Sequence, residues 1–144
     1  MYRQSWFLAL CALLVTTALT PAQESALSDE DTTSVQSVID RQIAAFRADD
    51  GATAYSFAAP SIQKMFPSVP RFMDMVRRGY APVYRPQSYS FEGLRTENGA
   101  TVQVVRLVGP AGAEWLAFYT LDKQADGSWK ITGVYLQKAP GQTT

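Results

Sequence analysis

Apolar positions along residues 35–80 recur at helical spacing, and beyond Pro82 they recur every second residue. Val35, Val38, Ile39, Ile43 and Phe46 fall on one stripe of a helix. The acidic run Asp29-Glu30-Asp31 stands where the positive end of that helix dipole favours it. Residues 23–33 are polar and read as a linker running into the helix. Asp49-Asp50-Gly51 is expected to end it, with Gly51 in the left-handed position after the cap. A short helical piece is predicted over Ala52 to Ala58. Pro60 fits the first turn of another, holding Ile62, Met65 and Phe66, and Pro67 stops it. Ser68 caps a further helix with the stripe Phe72, Met73, Val76 and Tyr80, closed by Arg77, Arg78 and Gly79.

The period of two then predicts strands over Gln87–Arg95, Thr101–Val108, Glu114–Lys123 and Ser128–Lys138. Glu97-Asn98-Gly99, the run Gly109 to Gly112, and Ala125-Asp126-Gly127 are turn signals between them. Such short links make each strand pair with the one before it, an antiparallel meander of four strands or slightly more. Gly93 and Gly133 interrupt their strands and mark bulges that bend the sheet. Helices followed by a curved sheet define an α+β domain, with the N-terminal helices packed on its concave face. Residues 34–139 are assigned to this single domain and 140–144 to a tail.

Residues 1–22 have a different character. Arg3 precedes an apolar run from Trp6 to Leu19, and Thr20-Pro21-Ala22 offers small side chains before a cut at Gln23. That is the pattern of a secretory signal, and the run is too short for a membrane span of about 20 residues. Leu10 before Cys11 is too bulky for lipoprotein processing. The expectation is an exported chain with no stable membrane anchor after cleavage. Thirteen basic residues balance thirteen acidic ones. Without Arg3 the remainder has a net charge of about −1, which speaks against a nucleic-acid binder working by bulk electrostatics. The chain has no histidine, and its single cysteine is Cys11. Residues 23–144 therefore hold no Ser-His-Asp or Cys-His catalysis, no zinc finger, no His-ligated metal and no disulfide. No metal or cofactor is expected.

Several side chains are candidates for chemistry. Asp49 and Asp50 are candidates for a general base in a conical pocket, with Tyr55, Tyr80, Tyr84 or Tyr119 as the donor stabilising an enolate. The alternative is a solvated helix end. Arg71, Arg77, Arg78 and Arg85 form either a handle for a carboxylate or phosphate ligand, or cations matched to a helix C-terminus. Tyr80-Ala81-Pro82-Val83-Tyr84-Arg85-Pro86 reads as a stiff connection that lines a pocket mouth or wedges the last helix on the sheet. Trp115 stacks on a ligand or joins Trp129 in the core. The third strand is apolar on both faces: Trp115, Ala117, Tyr119 and Leu121 on one, Leu116 and Phe118 on the other. A homodimer through the outer sheet face would cover the second; so would Lys and Arg stems with the C-terminal tail.

Three stretches carry a resemblance: Phe46 to Asp50 with Tyr55 to Ile62 and Met65-Phe66, then Met75 to Pro86, then Trp129 to Val134. Together they resemble the family catalogued as domain of unknown function 4864, found mostly in proteobacteria. The resemblance implies a periplasmic or secreted bacterial protein with the nuclear-transport-factor-2-like superfold, a cone of helices in a bent antiparallel sheet. That superfold hosts isomerases, dehydratases, toxin-immunity proteins and plain binding modules, so it does not select an activity. Three functions follow as expectations. The first is a non-catalytic module for a small apolar or weakly anionic ligand or an envelope protein. The second is a small isomerase or lyase with an Asp base and Tyr donors. The third is a purely structural homodimer whose cone is filled by Phe46, Phe57, Phe66 and Phe72.

Overall fold

The computed structural model describes residues 27–141. Residues 1–22, expected to be a secretory signal, and the last three residues of the tail lie outside the described residues. The first helix, α1 (Asp29–Arg47), starts inside the stretch read as linker. Ser28 is the reason: its hydroxyl accepts from Asp31 N–H at 3.0 Å while the Asp31 carboxylate accepts from the Ser28 backbone, a reciprocal capping box. Val35, Ile39, Ile43 and Phe46 are buried along the predicted stripe.

The end of α1 corrects one expectation. Asp49, not Gly51, takes the left-handed conformation, with φ of 53°. Asp50 then caps α2 (Gly51–Ser56) by accepting from Thr53 N–H at 3.2 Å. Aspartate tolerates this region because its short polar side chain bonds locally. Gly51 is needed for another reason: its α-carbon faces Val69 and Met73 with no room for a side chain.

The helices α3 (Pro60–Met65) and α4 (Val69–Gly79) follow, each with proline in its first turn. The connection expected over 80–86 instead contains one helical turn, α5 (Ala81–Tyr84). Pro82 presets the backbone in its first turn, and Arg85 N–H closes it on the Ala81 carbonyl at 3.0 Å.

The strands β1 (Ser88–Glu97), β2 (Ala100–Val108), β3 (Glu114–Lys123) and β4 (Trp129–Lys138) form a four-stranded antiparallel sheet in the order β1-β2-β3-β4. Asn98 and Gly99 both have positive φ, 49° and 79°, which suits a two-residue hairpin turn between β1 and β2. The register slips between Phe91 and Leu94, where Gly93 lies, and again beside Gly133, where Thr132 is the extra residue. These bulges bend the sheet. The carbonyls that the first bulge frees are collected by Gln103, fully buried, whose Nε2 donates to Glu92 O at 3.0 Å and Gly93 O at 3.3 Å.

Val105, Leu107, Ala117, Tyr119, Leu121, Trp129 and Ile131 form the inner sheet face and meet α1, α4 and α5 in one core. Residues 57–59 stitch the helical half to edge strand β4. Ala59 N–H donates to Ile131 O, and Ile131 N–H to Phe57 O, both at 2.8 Å. On the outer face Leu116 and Phe118 are half-buried. Val102 and Val104 are buried there, and the Arg95 guanidinium lies 5.9 Å from the Phe118 ring. Arg106 bridges Glu92 at 2.6 Å and Glu114 at 3.6 Å. Tyr135 is the large apolar side chain left exposed on this face among the described residues.

Candidate functional site

A hollow of about 300 Å³ remains between α3, α4 and β4. Its position follows from the stitch at Ala58 and Ile131. That contact fixes the start of α3 against β4, while Phe72 of α4 packs on Phe46 of α1 and Tyr55 of α2. The deep wall is made of Phe46, Ala58, Phe72, Val76, Val83 and Ile131, all buried. Ile62, Phe66, Met75, Tyr80 and Val134 are half-buried nearer the rim, and Met65 is exposed at the mouth. Among the described residues, no side chain bordering the hollow carries a charge. The polar ones are Gln42, Tyr80 and Thr132. The Thr132 hydroxyl is engaged, donating to Thr120 Oγ1 at 3.0 Å.

The structure brings one of the sequence candidates, Tyr80, to this cavity. Asp49 lies outside it, on the surface, where Arg85 Nη2 donates to Oδ2 at 2.8 Å and Tyr84 OH donates to Oδ1. The Tyr84 hydrogen bond, with the charges of Arg85 and Arg77, holds its carboxyl below the usual range. The Tyr84 ring lies between two guanidinium groups, Arg85 at 4.3 Å and Arg77 at 5.6 Å from its centroid. Arg85 Nη1 also donates to the Phe46 carbonyl at 2.5 Å. This cluster ties the end of α1 to α4 and α5, and its Arg charges are spent on Asp49, Asp74 and backbone.

Tyr55, the other candidate of the acid–base pair, donates its hydroxyl to Phe66 O at 2.7 Å and stacks edge-on against Phe72. It closes the α3–α4 loop. Trp115 packs its indole against Gly109, with Lys138 Nζ 5.7 Å from its ring, and does not border the cavity. Of Phe46, Phe57, Phe66 and Phe72, which fill the cone in the purely structural reading, Phe46, Phe66 and Phe72 border the hollow and Phe57 does not. Among the described residues no three His, Cys, Asp or Glu side chains converge as metal ligands, and no helix is long and apolar enough to cross a membrane.

Sequence reasoning passed over Gln42, a polar residue three positions after Ile39 and four before Phe46 on the inward stripe of α1. A polar side chain on an otherwise apolar stripe was the available signal. Ala58, Met75 and Val134 gave none, because segments far apart in sequence bring them together only in the folded chain.

These elements define an α+β domain whose helices and bent sheet enclose an apolar, uncharged cavity open at one side. The chain belongs to the family described as domain of unknown function (DUF4864), whose model matches residues 28–144. No curated protein and no solved structure matches it.

Proposed function

We propose that the chain is an exported, non-catalytic binding module of nuclear-transport-factor-2-like architecture, which takes a small apolar molecule into the cavity between α3, α4 and β4. The cavity carries this reading. It is an open cleft of about 300 Å³ whose lining is almost wholly apolar. It lies at the lower end of the roughly 300–1,000 Å³ range of ligand sites. Helices packed on one face of a curved meander support the architecture, and the Arg3, apolar-run and Ala22 pattern supports export.

An acid–base reading on Asp49 gains no support from a surface carboxylate already held by Tyr84 and Arg85. A homodimer through the outer sheet face draws no support from Val102 and Val104, which are already buried within one chain.

A ligand that binds only the folded state raises the melting temperature by mass action. A series from 1-hexanol to 1-decanol is expected to raise it in the wild type. Ala58→Leu, which pushes a side chain into the deep wall, is expected to remove the shift while the protein stays folded. An unchanged melting temperature across the series would overturn the proposal.

A further inference from the structure

The deepest polar group of the cavity is Gln42, only 3% exposed and set on α1 among Ile39, Ile43 and Phe46. Its Nε2 donates to the Ala54 carbonyl at 3.1 Å, which fixes the amide's orientation. Oε1 accepts no hydrogen bond among the described residues, and the residue borders the cavity. The second buried glutamine shows the contrast. Gln103 uses both ends of its amide: Nε2 donates to three carbonyls, and Oε1 accepts from Gln36 Nε2 at 3.3 Å. Oε1 is not sealed from solvent as the Tyr119 hydroxyl is, so in the free chain water meets it, and a donor carried by a ligand can take that water's place.

We infer that the ligand carries one uncharged hydrogen-bond donor, a hydroxyl or a protonated carboxyl, which enters first and donates to Gln42 Oε1, with an apolar body extending past Phe72 and Met75 toward Met65. The inference rests on the binding reading above and deepens it. An ionised head group is disfavoured because no charged side chain borders the cavity to pair with it. At about 30 Å³ per small group, the hollow holds roughly ten non-hydrogen atoms. That is the size of a medium-chain alcohol or a short fatty acid in its neutral form.

Three probes of similar length separate the contributions: 1-octanol, 1-methoxyheptane, which lacks the donor, and octanoate at neutral pH. Titration calorimetry on the wild-type chain is expected to show the alcohol binding about tenfold tighter than the ether, the size of one buried hydrogen bond. Octanoate is expected to bind more weakly than either. Gln42→Met, of similar shape but without the acceptor, is expected to erase the alcohol–ether difference. Should that variant unfold for want of the bond to Ala54, the wild-type comparison decides alone. Equal binding of alcohol and ether overturns the Gln42 inference and leaves the apolar cavity standing. Failure of all three probes to bind overturns the binding reading itself.

Discussion

Tyr84 donates its hydroxyl to Asp49 Oδ1, joining the left-handed residue after α1 to the end of α5 across 35 positions of sequence. Arg85 grips the other carboxylate oxygen. The Asp49 carboxyl is therefore easier to ionise in the folded chain than in the unfolded one, first because of the Tyr84 hydrogen bond and then because of Arg85 and Arg77. A depressed folded value stabilises above the unfolded carboxyl range of about 4 and is lost as pH falls through it. Asp49→Asn keeps the left-handed backbone, which Asn also adopts readily, and removes the titrating group. The stability difference between wild type and Asp49→Asn is expected to be largest at neutral pH and to shrink as the pH drops below about 4. Urea unfolding across that range measures it; a difference independent of pH would show that the carboxylate charge is irrelevant to the clamp.

Two glycines subjected to one change give opposite signs. A Cβ at Gly51 would lie 2.8 Å from Val69 Cγ1 and 2.9 Å from Met73 Cγ, and Met73 is itself buried. Helix propensity favours Ala by about 1 kcal/mol, but overpacking of this kind costs about 1–3 kcal/mol. Gly51→Ala is therefore expected to destabilise. At Gly79, the last residue of α4, nothing lies within 4 Å of the added atom. Gly79→Ala is expected to be neutral or stabilising by up to about 1 kcal/mol. Denaturant midpoints compare the pair, and a Gly51→Ala protein as stable as wild type would mean that α2 and α4 can slide apart freely.

The same two sites show what the residue pattern carried. Strand limits fell within two residues of those observed, because alternation, bulge glycines and the Asn98-Gly99 turn are local signals. Ser68, Pro60 and Pro67 likewise act within one helical turn. Gly51 was read as a left-handed residue because glycine permits that conformation. Its actual reason, contact with Val69 and Met73, lies in a helix eighteen or more positions away. The cavity was illegible for a related cause. Its walls come from α1, α3, α4, α5 and β4, and whether Phe46, Phe66 and Phe72 fill a space or surround one depends on helix crossing. For the arginines over 77–85 the sequence leaves a ligand handle and helix-end cations both open; Asp74 is a partner within one helical turn of Arg77, but Asp49, which also holds Arg85, is brought there only by the fold.

Alkaline pH probes two tyrosines of the sheet, Tyr89 and Tyr119. Burial, then the hydrogen bond to Asp40 at 2.7 Å, pushes the Tyr89 hydroxyl up to about 12. Burial pushes Tyr119 up as well; it is fully buried, and its hydroxyl has no hydrogen-bond partner among the described residues. Unfolded tyrosines ionise near 10. Between that value and about 12 the folded chain retains protons that the unfolded chain has lost, so stability falls as pH rises. Tyr119→Phe removes one of these linked protons together with an unpaired buried hydroxyl. It is expected to match the wild type at neutral pH or exceed it by about 1 kcal/mol. Its alkaline unfolding, followed by circular dichroism from pH 9 to 12, is expected to be shallower. Tyr89→Phe loses the Asp40 bond and is expected to be less stable at neutral pH. If Tyr119→Phe were instead the less stable of the two, its hydroxyl would have to be bonded in solution, and the core around α1 would be wetter than the packing of Ile39, Ile43 and Leu121 indicates.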